Sequence, residues 1–261
     1  MTKLIYIHGA GEQENRLMLK RRLDGALFEQ NMLERTVLGY YSDLLHGEED
    51  VPAAIEAAAA DPELAELDAA FLTRAGEIAE EEAAAGEGAP PKVEGVTLPD
   101  PAFFLLANIA SSDVKVYLKG GKGPEIRDRV IGLFPMGEPV IVVSHSLGTI
   151  VAYDVLASFK GSREIPLWVT LGSPLGIGNV QKRLNGGESK PPVPVPAGVA
   201  AWHNYADPHD VVALEQTLSD EFSPLGFVKD ATVENEAFLN HDLTGYLHVD
   251  AVRTVIRTSF G

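Results

Sequence analysis

One serine of this chain has the surroundings that an activated nucleophile needs. It is Ser146, in the segment PVIVVSHSLGTIVAYDVL (residues 139–156), where an apolar run typical of a buried strand passes directly into a helix-forming sequence. A tight turn from strand to helix pushes the central side chain outward and needs small residues two positions before and after it. Ser144 and Gly148 meet that need, although glycine is usual at the first of these positions. We therefore predict that Ser146 is a nucleophile rather than an ordinary serine at a helix N-terminus.

A serine hydroxyl becomes a good nucleophile when a histidine takes its proton and a carboxylate orients that histidine. The predicted base is His241, in NEAFLNHDLTGYL between the last predicted strand and the last predicted helix. Asp207 and Asp210 both follow a predicted strand in WHNYADPHDVVAL, and chain order permits either to be the acid. We favour Asp210, because the apolar residues after it are predicted to dock a helix whose first turn fixes its carboxylate. Asp207 precedes Pro208, a pairing typical of a turn in which the aspartate bonds its own backbone.

Three further histidines are predicted to lie elsewhere: His46 in an insertion, His203 in a strand and His248 in the last helix.

The first predicted strand ends in a glycine-containing turn with the sequence HGAG, residues 8–11. Backbone N–H groups of such a turn can face the anion that forms when a serine attacks a carbonyl group. We predict that the N–H groups of Ala10 and Leu147 form this oxyanion hole. The neighbouring side chains and backbone are predicted to bind substrate, and these residues are His8, Gly11 and His145.

These residues must be positioned by strands that alternate with helices along the chain. Predicted strands lie at 4–7, 36–41, 139–143, 167–171, 200–204 and 227–233, and predicted helices lie at 14–30, 101–110, 124–134, 147–159 and 249–258. Alternation of this kind favours parallel strands joined by helical crossovers. We predict one α/β domain over residues 1–261, a three-layer sandwich with a mostly parallel sheet.

A helical insertion is predicted at residues 44–112. Its central part, 47–100, holds fifteen acidic and two basic residues, and so carries most of the net charge of −17. Apolar residues at helical spacing predict one buried face, formed by Leu64, Leu67, Phe71, Ala75 and Ile78. Two interpretations remain open, a solvated decoration of the surface and a lid over the site.

Composition excludes several classes of protein. The negative charge and the lack of a Lys/Arg cluster disfavour nucleic acid as a partner. The chain has no cysteine, which excludes disulfides, cysteine-bound metals and a thiol nucleophile. No apolar run reaches the roughly 18 residues of a membrane span, and the N-terminus lacks the features of an export signal. We expect a cytoplasmic protein without stable membrane insertion and without a metal or organic cofactor, and the oligomeric state stays open.

Three other patterns are weaker. The glycine-rich stretch at 119–124 lacks the spacing of a phosphate loop, and its proline removes a backbone donor. The proline-rich stretch within 186–198 predicts a surface loop that could bind a proline-recognising partner. A metal cluster is also conceivable, from His203, Asp207, His209 and Asp210, but no helical metal-binding pair accompanies it.

Taken together, the HGAG and SHSLG motifs resemble the oxyanion loop and the nucleophile elbow of α/β-hydrolases of the lipase and esterase branch. Residues 139–175 and NYADPHDVVAL further resemble DDHD-type phospholipases, in which an Asp-x-Val-Ala sequence bears the catalytic acid. Asp210 begins the matching Asp-Val-Val-Ala, and His241 matches the histidine ahead of the last helix. The resemblance spans about 3–42 and 113–260.

This resemblance implies a serine hydrolase that cleaves carboxylic esters through an acyl-enzyme. It implies a small-molecule ester or a lipid as substrate and says nothing about acyl length or head group. Two alternatives remain: a thioesterase or amidase that uses the same triad, and a non-catalytic binding protein on the same fold.

Overall fold

The central element is a six-stranded parallel sheet. The structure is a computed structural model that describes residues 2–47, 69–78, 80, 92–93, 96–97, 101–187, 192–235 and 240–261. The strands are β1 Lys3–Ile7, β2 Thr36–Gly39, β3 Val140–His145, β4 Trp168–Leu171, β5 Trp202–Ala206 and β6 Val228–Thr232. Their order across the sheet is β6-β5-β4-β3-β1-β2. The predicted α/β fold with a mostly parallel sheet is confirmed.

Helices cover the sheet. They are α1 Arg16–Phe28, α2 Ser42–His46, α3 at 69–78, α4 Pro101–Leu118, α5 Gly123–Ile131, α6 Leu147–Ser158, α7 Gly178–Leu184, α8 Leu243–His248 and α9 Asp250–Phe260. Smaller pieces are a 3-10 turn at Leu33–Arg35 and two pairs of two-residue strands, Lys92–Val93 with Val96–Thr97 and Val193–Pro194 with Phe222–Ser223. Among the described residues no helix has the length and hydropathy to cross a bilayer.

Two hydrophobic clusters, one on each face of the sheet, explain why the central strands β1 and β3 have no solvent-exposed polar face. Along β1, Ile5 and Ile7 belong to the cluster beneath α2–α7, whereas Leu4 and Tyr6 belong to the cluster beneath α1, α8 and α9. All six positions of β3 are buried. A parallel strand covered on both faces has no solvent side, so it loses the alternation of polar and apolar residues.

The helices differ from the prediction in three places. No helix follows Asp210: residues 211–216 are irregular, although Val211 and Val212 are fully buried. Helix α8 was missed because six residues are too short for a periodic pattern, and Asp242 caps it by accepting from the N–H groups of Thr244 and Gly245. Helix α4 continues eight residues beyond the predicted end at 110.

Helix α3 is one of the described parts of the predicted insertion, together with the end of α2, the two short strands at 92–93 and 96–97 and the first part of α4. Phe71, Ala75 and Ile78 are fully buried in the larger cluster, as the apolar face predicts, and Leu64 and Leu67 lie outside the described residues. Arg74 on the same helix donates a hydrogen bond to the carbonyl oxygen of Pro208. Helix α3 therefore contacts the loop that carries both candidate acids.

The strand order reverses between β1 and β3, because β2 lies on one side of β1 and β3 on the other. In open α/β sheets, ligands bind in the crevice outside the carboxyl ends of the strands at such a reversal. Ile7 of β1 pairs with Ser144 of β3, so both strands end at this crevice. The two sequence motifs that follow these strands are thereby brought together.

Candidate active site

Ser146 occupies a strained turn between β3 and α6. Its backbone angles are φ 53° and ψ −132°, a region that side chains other than glycine rarely adopt. Such a conformation costs about 1–3 kcal/mol and persists only where the surroundings impose it. Here the Ser146 N–H donates to the carbonyl oxygen of Leu171 at 3.0 Å, and its own carbonyl oxygen accepts from the Thr149 N–H at 2.9 Å.

The small residues on either side of Ser146 have distinct reasons. A Cβ atom on Gly148 would overlap the carbonyl oxygens at the end of β1, so only glycine fits there. Ser144, which replaces the usual glycine, accepts a hydrogen bond from the indole N–H of buried Trp168 at 2.8 Å. A buried indole N–H needs an acceptor, and this need explains the departure from the common pattern.

The hydroxyl of Ser146 differs from those of its neighbours. Ser144 Oγ also donates to the carbonyl oxygen of Val169 at 3.3 Å, and Ser173 Oγ lies 2.9 Å from Thr149 Oγ1. Ser146 Oγ is buried and has no hydrogen-bond partner within the described residues. Of these three serine hydroxyls, the one of Ser146 makes no hydrogen bond within the described residues.

The turn after β1 lies directly on Ser146. A Cβ atom on Gly9 would sit 2.6 Å from Ser146 Cβ and 3.2 Å from Ser146 Oγ, so glycine is required at this position too. Ala10 follows Gly9, and Leu147 begins α6, where N–H groups have no acceptor within the helix. Both predicted oxyanion donors thus belong to residues adjoining this contact.

His8 is committed to the protein rather than exposed to a ligand. Its Nε2 accepts from the Tyr41 N–H at 3.0 Å, so Nδ1 carries the proton and donates to the carbonyl oxygen of Gly9 at 2.7 Å. Burial lowers the pKa of His8 to about 4, which keeps the ring neutral. This predicted substrate-binding residue instead anchors the peptide group between Gly9 and Ala10.

Gly11 is also committed within the protein. Its N–H donates to Asp113 Oδ2 at 2.6 Å, and His46 Nε2 lies 3.1 Å from the same oxygen. The hydrogen bond to Asp113 raises the pKa of His46. No local sequence pattern indicates the contact between Gly11 and Asp113, because 102 residues separate them in the chain.

His241 and Asp210 form a buried pair. His241 Nδ1 lies 2.7 Å from Asp210 Oδ1 and 2.8 Å from Oδ2. Burial alone would raise the pKa of Asp210, but the charge and hydrogen bond of His241, together with hydrogen bonds from Tyr246 and the Val212 N–H, lower it. Asp210 is therefore ionised and accepts a hydrogen bond from the Nδ1–H group of His241.

Asp207 plays a different part. Its Oδ1 accepts from the His209 N–H at 2.7 Å, which is the predicted turn geometry. Its Oδ2 accepts from the Asn235 N–H at 2.5 Å and from the Asn240 side chain at 3.4 Å. Asp207 thus ties the loop after β5 to the segment that precedes His241, while Asp210 contacts His241 itself.

His145 packs on the imidazole of His241, with ring centroids 4.5 Å apart. Burial, followed by the charge of His241, lowers the pKa of His145 to about 3. The ring is therefore neutral, and its Nε2 has no hydrogen-bond partner in the described part of the chain. In this conformation His145 supports His241.

Two residues that the sequence did not indicate complete this side of the site. Gly172, at the end of β4, has φ 52°, and a Cβ atom there would lie 2.5 Å from Asp210 Oδ2. Tyr246 in α8 donates its hydroxyl proton to Asp210 Oδ2 at 2.7 Å. Glycine at a strand end and tyrosine in a short helix are too common to mark a site.

Ser146 Oγ and His241 are not hydrogen-bonded to each other, because Ser146 Oγ has no partner among the described residues. Both residues are nearly buried, 1% and 7% exposed. Catalytic hydrogen bonds are often long without substrate and tighten when it binds. Transfer of a proton from Ser146 to His241 would therefore require this hydrogen bond to form when a substrate binds.

A cavity of about 850 Å³ is bordered by Pro208, Thr232, Val233, Glu234, Gly245, His248 and Val249, none of them a candidate catalytic residue. Across the described ranges, no three His, Asp or Glu side chains are grouped to hold a metal ion.

Comparison of this chain with protein-family models, with curated proteins and with solved structures gives no match in any of the three.

Proposed function

We propose that this chain is a serine hydrolase of the α/β-hydrolase type that cleaves carboxylic esters. The observation that carries the proposal is the pairing of His241 with buried Asp210, together with Ser146 on a strained turn beside the same strand ends. The order Ser146, Asp210, His241 along the chain is the order of that fold.

The reaction follows from these positions. Ser146 Oγ bonds to the ester carbonyl carbon while its proton passes to Nε2 of His241, and Asp210 stabilises the imidazolium through Nδ1–H. The N–H groups of Ala10 and Leu147 hold the oxyanion. Cleavage of the carbon–oxygen bond releases the alcohol with the proton from His241, and water then removes the acyl group from Ser146 by the same route.

The surroundings favour this proton transfer. Neutral His145 leaves His241 as the imidazole that can gain charge against Asp210, since two adjacent imidazolium rings repel each other. His8 holds the carbonyl oxygen of Gly9, so the N–H of Ala10, at the opposite side of the same peptide group, has a fixed direction. Preorganised donors of this kind cost no reorganisation during the reaction.

The predicted insertion is proposed as a lid. Ser146 is 1% exposed, so the site must open before an ester can reach it. Helix α3 belongs to the insertion and bonds the loop of the candidate acids through Arg74 and Pro208, which favours a lid over a surface decoration. The substrate is then a small-molecule ester or a lipid that the open form admits.

Labelling with a fluorophosphonate probe tests the proposal. Wild-type protein should label and should hydrolyse p-nitrophenyl esters, and Ser146→Ala should lose both while remaining folded. Ser173→Ala is the matched control, because Ser173 is equally buried but its hydroxyl is bonded to Thr149. His241→Ala should lose activity and His248→Ala should keep it. Labelling that persists in Ser146→Ala, or wild-type protein that neither labels nor hydrolyses any ester, thioester or amide, would reject the proposal.

A further inference from the structure

The hydroxyl of Tyr246 bridges the two acids after β5. It lies 2.7 Å from Asp210 Oδ2 and 3.0 Å from the backbone nitrogen of Asp207, and the side chain is fully buried. A backbone N–H can only donate, so the hydroxyl oxygen accepts from Asp207 and its single proton points to Asp210. The direction of both hydrogen bonds is fixed by chemistry.

Tyr246 is one of two side chains that donate to Asp210. Oδ1 accepts from the N–H groups of Val212 at 2.8 Å and Ala213 at 3.4 Å, and Oδ2 accepts from Tyr246 while His241 bridges both oxygens. Within the described residues these are the partners of the carboxylate. Two backbone donors and one hydroxyl therefore set its plane and share its charge with His241.

We propose that Tyr246 is a positioning residue that orients the Asp210 carboxylate and limits the strength of its hydrogen bond to His241. Without the hydroxyl, Oδ2 concentrates its negative charge on His241 and stabilises the imidazolium before the reaction as well as during it. His241 then holds a proton at higher pH and is a base over a narrower range. The consequence for ester hydrolysis rests on the proposed function, whereas the effect on the Asp210–His241 pair does not.

The groups around the pair leave Tyr246 as the adjustable contact. Asp207 is already bonded by backbone N–H groups, and Asp242 caps α8 and lies 3.7 Å from Arg22. His145 is neutral, as described above. Burial and the charge of Asp210 raise the pKa of Tyr246 well above its usual value, so its hydroxyl keeps the proton at every pH at which the enzyme would work.

The test compares Tyr246→Phe with Tyr117→Phe. Tyr117 is equally buried and donates to a carboxylate oxygen of Asp154 at 2.6 Å, away from the candidate catalytic residues, so it matches the chemical change. For Tyr246→Phe we expect kcat for a short p-nitrophenyl ester to fall about ten- to a hundredfold with KM nearly unchanged. The acid limb of its kcat/KM profile should move to higher pH, and Tyr117→Phe should leave it in place.

A second readout needs no activity. The Nδ1 proton of His241, assigned by its absence in His241→Gln, should give an NMR signal that moves in Tyr246→Phe and stays in Tyr117→Phe. Failure of Ser146 labelling would reject the proposed function, and this signal alone would then decide on Tyr246. The inference is overturned if Tyr246→Phe leaves the signal and the acid limb unchanged, or if Tyr117→Phe shifts them equally.

Discussion

The two halves of the candidate site are held by different physical means. Ser146 is fixed by its backbone, through a positive φ and through contacts with Gly9 and Gly148 that leave no room for a Cβ atom. Asp210 and His241 are fixed by hydrogen bonds between buried polar groups of the loop after β5, the segment that carries His241 and helix α8. Backbone geometry positions Ser146 and the turn after β1, the nucleophile half. Hydrogen bonds position Asp210 and His241, the acid–base half.

This difference determines how each half should fail. A group held by its backbone tolerates little added volume around it. Inserting a methyl group into a close-packed interior typically lowers the free energy of unfolding by about 1–3 kcal/mol. A group held by hydrogen bonds loses its position when a charge or a hydrogen-bond donor is removed, even if the shape of the side chain is kept. An added methyl group should therefore disturb the nucleophile half most, and an isosteric loss of charge should disturb the acid–base half most.

Asparagine in place of aspartate gives the largest expected difference within the acid–base half. Asp210→Asn keeps the shape but cannot stabilise the imidazolium, so turnover should fall on the order of a thousandfold or more. Asp207→Asn loses carboxylate acceptors for the Asn235 N–H and the turn, so it should lower stability while turnover changes little. Steady-state kinetics and urea unfolding of both variants separate the two effects. A crippled Asp207→Asn beside a nearly normal Asp210→Asn would make Asp207 the triad acid.

The sequence predicts the nucleophile half better than the acid–base half, and the reason is physical. Backbone geometry imposes local patterns, so the small residues around Ser146 and the glycines of HGAG can be recognised in neighbouring positions. Contacts between segments that are distant in the chain leave no local pattern, so the hydrogen bond of Tyr246 and the close approach of Gly172 to Asp210 were missed. Asp210 was favoured in part for a helix that does not exist, and the N–H groups of Val212 and Ala213 hold its carboxylate in that helix's place.

The same reasoning covers the fold. Buried strands such as β3 are continuous apolar runs, and their positions were predicted to within a few residues. Helix α8 was missed because its six residues are stabilised by the Asp242 cap and by burial of Leu243 and Tyr246, which depend on tertiary packing. Arg74 in α3 likewise finds its carbonyl partner 134 residues away.

A single methyl group should damage the nucleophile half. Gly148→Ala forces a Cβ atom onto the carbonyl oxygens at the end of β1, which should cost about 1–3 kcal/mol of unfolding free energy and displace Ser146. Gly25→Ala in α1 is the control, because a Cβ atom there meets nothing within 4 Å, and it should stabilise by about 0.5–1 kcal/mol. Urea unfolding and probe labelling measure both. Equal stability changes in the two variants would show that close packing does not hold the turn.

The smallest expected effect comes from a titratable contact in the nucleophile half, the one between His46 and Asp113. The pKa of His46 is raised by its hydrogen bond to Asp113, the carboxylate that also accepts from the Gly11 N–H. A histidine whose pKa is higher in the folded than in the unfolded state stabilises the fold fully below about pH 6.5, and this contribution is lost as the pH rises through the folded value. The unfolding temperature of the wild-type protein should therefore exceed that of His46→Gln at about pH 5.5, and the difference should be smaller at about pH 8. In an Asp113→Asn background the difference should not depend on pH. A difference that is the same at both pH values in the wild-type background would mean that the contact between His46 and Asp113 does not stabilise the fold.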